Sequence, residues 1–235
     1  MEPKGKLNHQ KAGSYLKDMV YGANDGIVTT FAVVAGVAGA SLDPVIVIFL
    51  GLANLLADGF SMAASSFLAS RSERDVVSRE REVENWEVAN MPAGEEKEIK
   101  EILNQKGYAG EDLDKMTALV VKNKKFWIDL MMSEELGLGS VESGRPFKGA
   151  AVTFLSFVVA GFAPLVPFFS AGIVENAFLI SAASAGLLFF AVGASRAIFT
   201  KRTWYWSGFE MFFVGGLAAS IAYAVGFLIR SLIGY

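Results

Sequence analysis

Along the 235-residue chain, apolar runs with at most one charge alternate with two stretches of dense charge. Residues 19–42 carry only Asp25, residues 44–70 carry only Asp58, and residues 149–174, 176–195 and 211–229 carry no charge. A helix needs roughly 20 apolar residues to cross a hydrocarbon core of about 30 Å, so the pattern predicts five membrane-spanning helices. The chain is polar up to Asp18 and shows no cleavable leader, so the first run reads as a retained helix. Pro164 and Pro167 are placed to kink or end the third span. The expected fold is an all-α polytopic membrane protein, with a helical insert between the second and third spans.

The break in pattern sets three expected regions: residues 1–70 (N-terminal tail and spans one and two), residues 71–148 (the insert) and residues 149–235 (spans three to five). From Arg71 to Ala89 there is no Gly or Pro, so the second span is expected to continue as one helix until Pro92 stops it. Further helices are predicted over Glu95–Asn104, ended near Gly107, over Asp112–Lys122 with Asp112 as N-cap, and over Phe126–Leu136, closed by Gly137 and Gly139.

Charge orients these elements. Four Lys and Arg lie in residues 1–18, thirteen in 71–148 and three at Arg196, Lys201 and Arg202, against Arg230 alone on the opposite side. Basic residues favour the cytoplasmic face, which puts the N-terminus and the insert in the cytoplasm and the C-terminus outside. Overall, 53% hydrophobic residues and a mean hydropathy of +0.41 are too apolar for an ordinary soluble domain. A net charge of −3 without a cationic face speaks against nucleic acid as a partner. With no cysteine and one histidine, His9, thiolate, iron–sulfur and multi-histidine centres are excluded. His9 reads as a solvent-exposed residue. A metal site here has to use carboxylates, amides, carbonyls and methionine sulfur.

Such groups recur in a pattern. Glu73, Glu80, Glu84 and Glu87 are spaced by seven, four and three, one stripe on a helix. It fits either a solvated acidic face or one wall of a cation site. Glu95 and Glu98 follow the Pro92 turn, and Met131-Met132-Ser133-Glu134-Glu135 sets two thioethers within a turn of Glu135. Helices presenting these carboxylates to a common space would hold divalent cations of intermediate hardness, with methionine disfavouring Ca²⁺ and Mg²⁺. Met131 and Met132 fit a packed core as readily as a ligand set.

The intramembrane acids are the sharper signal, because a mid-span carboxylate costs about 2.5–3.5 kcal/mol on insertion scales and such residues usually mark an ion or proton path. Asp25 lies in Gly22-Ala23-Asn24-Asp25-Gly26, where glycines admit close approach. Asn54, Asp58 and Met62 form an oxygen, carboxylate and thioether stripe on one face of the second span. The structural alternative is that Asp25, Asn54 and Asp58 only hydrogen-bond neighbouring helices. Glu210 reads as an interfacial carboxylate, solvated or part of the path. Small-residue faces, such as Gly36 with Ala40 and Gly215-Gly216, suit close helix contact and a homodimer.

Tyr21-Gly22-Ala23-Asn24-Asp25-Gly26, Gly51-Leu52-Ala53-Asn54 through Ser61-Met62, the stalk before Pro92, and Phe126-Trp127-Ile128-Asp129-Leu130-Met131-Met132 with Glu135-Leu136-Gly137-Leu138 together resemble the vacuolar iron transporter family over nearly the whole chain. The resemblance implies a homodimer that moves Fe²⁺, and often Mn²⁺, out of the cytoplasm in exchange for protons. It implies that Asp25 and Met62 line the path in the membrane. It further implies that Glu84, Glu87, Glu95, Glu98, Met131, Met132 and Glu135 form a cytoplasmic metal-binding domain. Plant members carry glutamate where this chain has Asn54, and an amide takes up no proton; Asp58, one turn on, is the carboxylate available for that role. The oxygen-and-thioether donor set also tolerates Co²⁺ and Zn²⁺. A prokaryotic source would imply the cell membrane, a eukaryotic one the vacuolar membrane. The rival expectation is a membrane-anchored metal sensor or buffer that transports nothing. A membrane hydrolase has no Ser/His, Cys/His or His-bearing metal motif to draw on, so an enzyme is not expected.

Overall fold

The computed structural model describes residues 4–138, 146–170, 176–197 and 202–234, with side chains described from Tyr15 onward. Among the described residues every regular element is helical: α1 (Lys4–Gly39), α2 (Pro44–Asn90), α3 (Pro92–Gln105), α4 (Gly110–Val121), α5 (Lys124–Glu134), α6 (Pro146–Phe162), a 3₁₀ segment (Ala163–Ser170), α7 (Ala177–Arg196) and α8 (Trp204–Ile233). Five are long and apolar enough to cross a membrane: α1 from Tyr15, α2, α6 with its 3₁₀ extension, α7 and α8. The expected all-α polytopic membrane architecture is therefore present.

The chain divides into two compact units, one of Met1–Phe67 with Pro146–Tyr235 and one of Leu68–Arg145. In the first, α1 is the central element, packed on α6, α7 and α8. Close approach is made possible by glycine: a Cβ at Gly26 would stand 2.3 Å from the Phe157 carbonyl oxygen of α6, and one at Gly226 of α8 would stand 2.1 Å from the Gly36 carbonyl oxygen. Ile27, Val34, Leu55, Phe157, Leu165 and Phe189 fill the space between the helices. Asp43 accepts a hydrogen bond from the Val45 amide (2.8 Å) and Pro44 follows it, a combination that starts α2 sharply. The two prolines expected to disturb the third span fall in the 3₁₀ segment, so α6 ends at Phe162. There the Ser181 hydroxyl of α7 donates to the Pro164 carbonyl (2.6 Å), satisfying a backbone acceptor in the interior. Large apolar side chains such as Phe49, Phe60, Val159, Leu187 and Leu217 point outward, as a lipid solvent requires.

In the second unit the end of α2 packs with α3, α4 and α5 around Val88, Ile99, Leu103, Leu113, Val120, Trp127, Ile128, Met131 and Met132. Arg81 of α2 donates to Asp129 of α5 at 2.6 Å, and Lys106 pairs with Glu134. Three predicted boundaries shift. α3 starts at Pro92 rather than Glu95, because proline is well suited to the first position of a helix. The N-cap of α4 is Ala109, not Asp112: the chain turns into the helix at Gly110, whose φ of 58° glycine accepts at little cost, and Asp112 sits in the first turn. α5 runs Lys124–Glu134 with Asn123 as its cap, accepting from the Phe126 amide. Gly137 adopts φ 64° just beyond α5, while Gly139 lies outside the described residues. The chain between the 3₁₀ segment and α7 (residues 171–175) and between α7 and α8 (residues 198–201) also lies outside them.

Candidate functional site

Pro92 lacks an amide hydrogen and ends α2 at Asn90, so the chain reverses over two residues and sets the first turn of α3 against the last turns of α2. Glu84 and Glu87 from α2 and Glu95 from α3 thereby each offer one carboxylate oxygen, all within 4.8 Å of one another. Metal–oxygen bonds of about 2.0–2.6 Å put opposite ligand oxygens some 4–5 Å apart, so the spacing suits one divalent cation. Glu84 is 3% exposed and Glu95 6% exposed, and the Oε2 atom of each has no hydrogen-bond partner. Among the described residues no ion pair reaches any of the three.

Burial, which penalises the charged form, and then the field of Glu135, Glu95, Glu87 and Glu98 push the Glu84 carboxyl up to about 7. Burial, then Glu98, Glu87 and Glu135, push Glu95 to about 7 as well. Glu135 is raised by burial and by Glu98 and Glu87. Five carboxylates thus crowd into one electrostatic neighbourhood, three of them at ligand spacing. Of the predicted acidic stripe, Glu84 and Glu87 enter the cluster; Glu73 is exposed and Glu80 half-buried. Met131 (0% exposed) and Met132 (2%) belong to the apolar core of the same unit.

In the other unit, Asp25 lies half-buried on α1, and Asp58 of α2 is within electrostatic reach of it. Asn54, Asp58 and Met62 are each half-buried at four-residue spacing on α2, with Met62 against the apolar core. Two neighbours of Asp25 add to this constellation. The Thr29 hydroxyl donates to the Asp25 carbonyl at 2.9 Å, and the buried Oδ1 of Asn24 has no partner. In the sequence Asn24 is marked only as an amide beside an acid within an apolar run, a weaker signal than a carboxylate. Glu210 pairs with Arg202 at 3.6 Å.

A family model described as the VIT family matches residues 16–227. A vacuolar iron transporter of Toxoplasma gondii is 37% identical over 97% of this chain and 79% of its own length. Vacuolar iron transporter 2 of Oryza sativa subsp. japonica is 32% identical over 95% of this chain and 91% of its own. Vacuolar iron transporter 1 of Arabidopsis thaliana is 31% identical over 94% and 89%. With five helices fit to span a membrane, a buried carboxylate cluster and likeness over nearly its full length, this chain belongs to the VIT family.

Proposed function

We propose that this protein carries Fe²⁺, and also Mn²⁺, out of the cytoplasm across a membrane in exchange for protons, and that it works as a homodimer. The observation that carries the reading is the cluster of Glu84, Glu87 and Glu95, in which two buried carboxylate oxygens are left unpartnered. Buried anions without a counter-charge are costly, and a divalent cation is the partner that removes the cost. The relatives are named as iron transporters, which supports iron as the cation.

In this reading the insert, residues 71–148, is cytoplasmic and captures the ion at Glu84, Glu87 and Glu95. Glu98 and Glu135 strengthen the field, and the thioethers of Met131 and Met132 complete the selectivity for softer divalent ions. The ion passes to Asp25 and Met62 in the membrane. Asp58 takes the proton-coupling role that the Asn54 amide cannot fill. Protonation of these carboxylates on the far side lowers their affinity and releases the ion.

The test is uptake of Fe²⁺ and Mn²⁺ into proteoliposomes whose lumen is acidic or at the external pH. Uptake that needs both the protein and the acidic lumen supports the transporter. Metal binding to the protein without uptake under either condition supports a membrane-anchored sensor instead.

A further inference from the structure

The start of α8 carries a feature to which the proposed function assigns no role. Arg202, Thr203, Trp206, Phe209, Glu210 and Phe213 line an open groove of about 550 Å³. They recur at three- and four-residue spacing, so the groove runs along one face of the first three turns of α8. Its walls are aromatic and outward-facing: Trp206 is 67% and Phe213 70% exposed. Trp204 and Tyr205 stand beside it, also exposed, which marks this end of α8 as the level of the membrane–water interface.

The Glu210 backbone lies six residues into the helix from Trp204, about 9 Å along the axis at 1.5 Å per residue, and its side chain tilts back toward the helix start to bring its carboxylate level with Arg202. Its carboxylate is half exposed, and Arg202 reaches it from the interfacial end at 3.6 Å. A carboxylate at that depth needs donors that hydrocarbon does not supply. One exposed guanidinium at 3.6 Å leaves hydrogen-bonding capacity open on both sides of the pair.

We propose that this groove binds a zwitterionic phospholipid with a primary ammonium headgroup. Its phosphate lies on Arg202 and the Thr203 hydroxyl, its ammonium on Glu210, and an acyl chain along Trp206, Phe209 and Phe213. The side-by-side cation and anion complement a headgroup carrying both charges. A purely anionic lipid meets the Glu210 charge, and a quaternary ammonium headgroup has no N–H to donate to it.

The test is native mass spectrometry of the full-length protein in detergent, equilibrated with equal amounts of phosphatidylethanolamine, its mono- and dimethyl derivatives, phosphatidylcholine and phosphatidylglycerol. Wild-type protein is expected to retain phosphatidylethanolamine at least about fivefold over phosphatidylcholine, with retention falling at each N-methylation. Glu210→Gln is expected to abolish that preference, and Arg202→Gln to weaken retention of every phospholipid. Equal retention across the methylation series, or a preference for phosphatidylglycerol, overturns the proposal, and both are read on the wild-type protein whether or not either variant folds. Brominated phosphatidylethanolamine provides a second measurement. It is expected to quench tryptophan fluorescence less in Trp206→Phe than in wild type, and an unchanged quench means that the groove is covered by something else, which also overturns it.

Discussion

Glu84 and Glu95, on two helices that meet at the Pro92 turn, bring carboxylate oxygens to within 4.8 Å of each other, although neither residue is more than 6% exposed. Two like charges so placed oppose folding of the metal-free protein and favour a cation, so their replacement should move stability and affinity in opposite directions. Glu95→Gln is expected to raise the thermal midpoint of the metal-free protein and to weaken Mn²⁺ binding by at least about tenfold, or ~1.4 kcal/mol. Thermal unfolding and calorimetric titration of the purified protein check both. A variant that binds Mn²⁺ as wild type does would remove Glu95 from the site.

The raised carboxyls give a signed pH dependence. Glu84 and Glu95 move from 4.5 to about 7 on folding. A carboxyl whose folded pKa is raised contributes stability that is complete below its unfolded pKa and is lost as pH rises through the folded one. The metal-free protein is therefore expected to lose thermal stability between pH 4.5 and about pH 7, and the stabilisation gained on adding Mn²⁺ should grow over the same interval, since the deprotonated form is the ligand. A metal-free midpoint that rises across this range would contradict the assignment.

Contact between α1 and α6 depends on the missing side chain at Gly26. In Gly26→Ala the new Cβ would meet the Phe157 carbonyl oxygen at 2.3 Å, and backbone has to move to relieve it. Overpacking of this kind costs about 1–3 kcal/mol. Gly216→Ala, where a Cβ meets nothing within 4 Å, serves as the control. Fluorescence-detected thermal melting is expected to show a lowered midpoint for the first variant and none for the second.

Asp58 is the one acid of the second span, on the same face as Asn54. If it carries the coupling proton, Asp58→Asn should flatten the dependence of metal uptake on lumenal pH while metal binding in solution is retained. Uptake and pH dependence both equal to wild type would exclude Asp58 from coupling.

How far the sequence discloses this molecule differs between its parts. The five spans are legible because bilayer thickness fixes helix length and one charge per run is easily seen. Pro92 marks its turn equally plainly, since a residue without an amide hydrogen cannot continue α2. The start of α4 is hidden: Asp112 has the chemistry of an N-cap, yet the chain already turns into the helix at Gly110, which takes a positive φ there. The acidic stripe is visible as a stripe, but whether its members are solvated depends on what packs beside them. Glu73 stays exposed while Glu84, on the same helix, is covered, and the unpartnered oxygens of Glu84 and Glu95 are a property of packing that spacing alone does not reveal. Likewise, the sequence shows Asn24 next to Asp25 but not that its amide oxygen is buried without a partner.

In the proposed mechanism Asp25 lies in the path of the transported ion, separate from the carboxylates that capture it. Initial rates of Mn²⁺ uptake into acid-inside proteoliposomes, measured against Mn²⁺ concentration for wild type, Asp25→Ala and Glu95→Gln, test it most directly. Asp25→Ala is expected to show no uptake at any concentration although it still binds Mn²⁺ in solution, and Glu95→Gln to show uptake that is restored at high Mn²⁺ with a raised KM. Uptake by Asp25→Ala at the wild-type rate would contradict it.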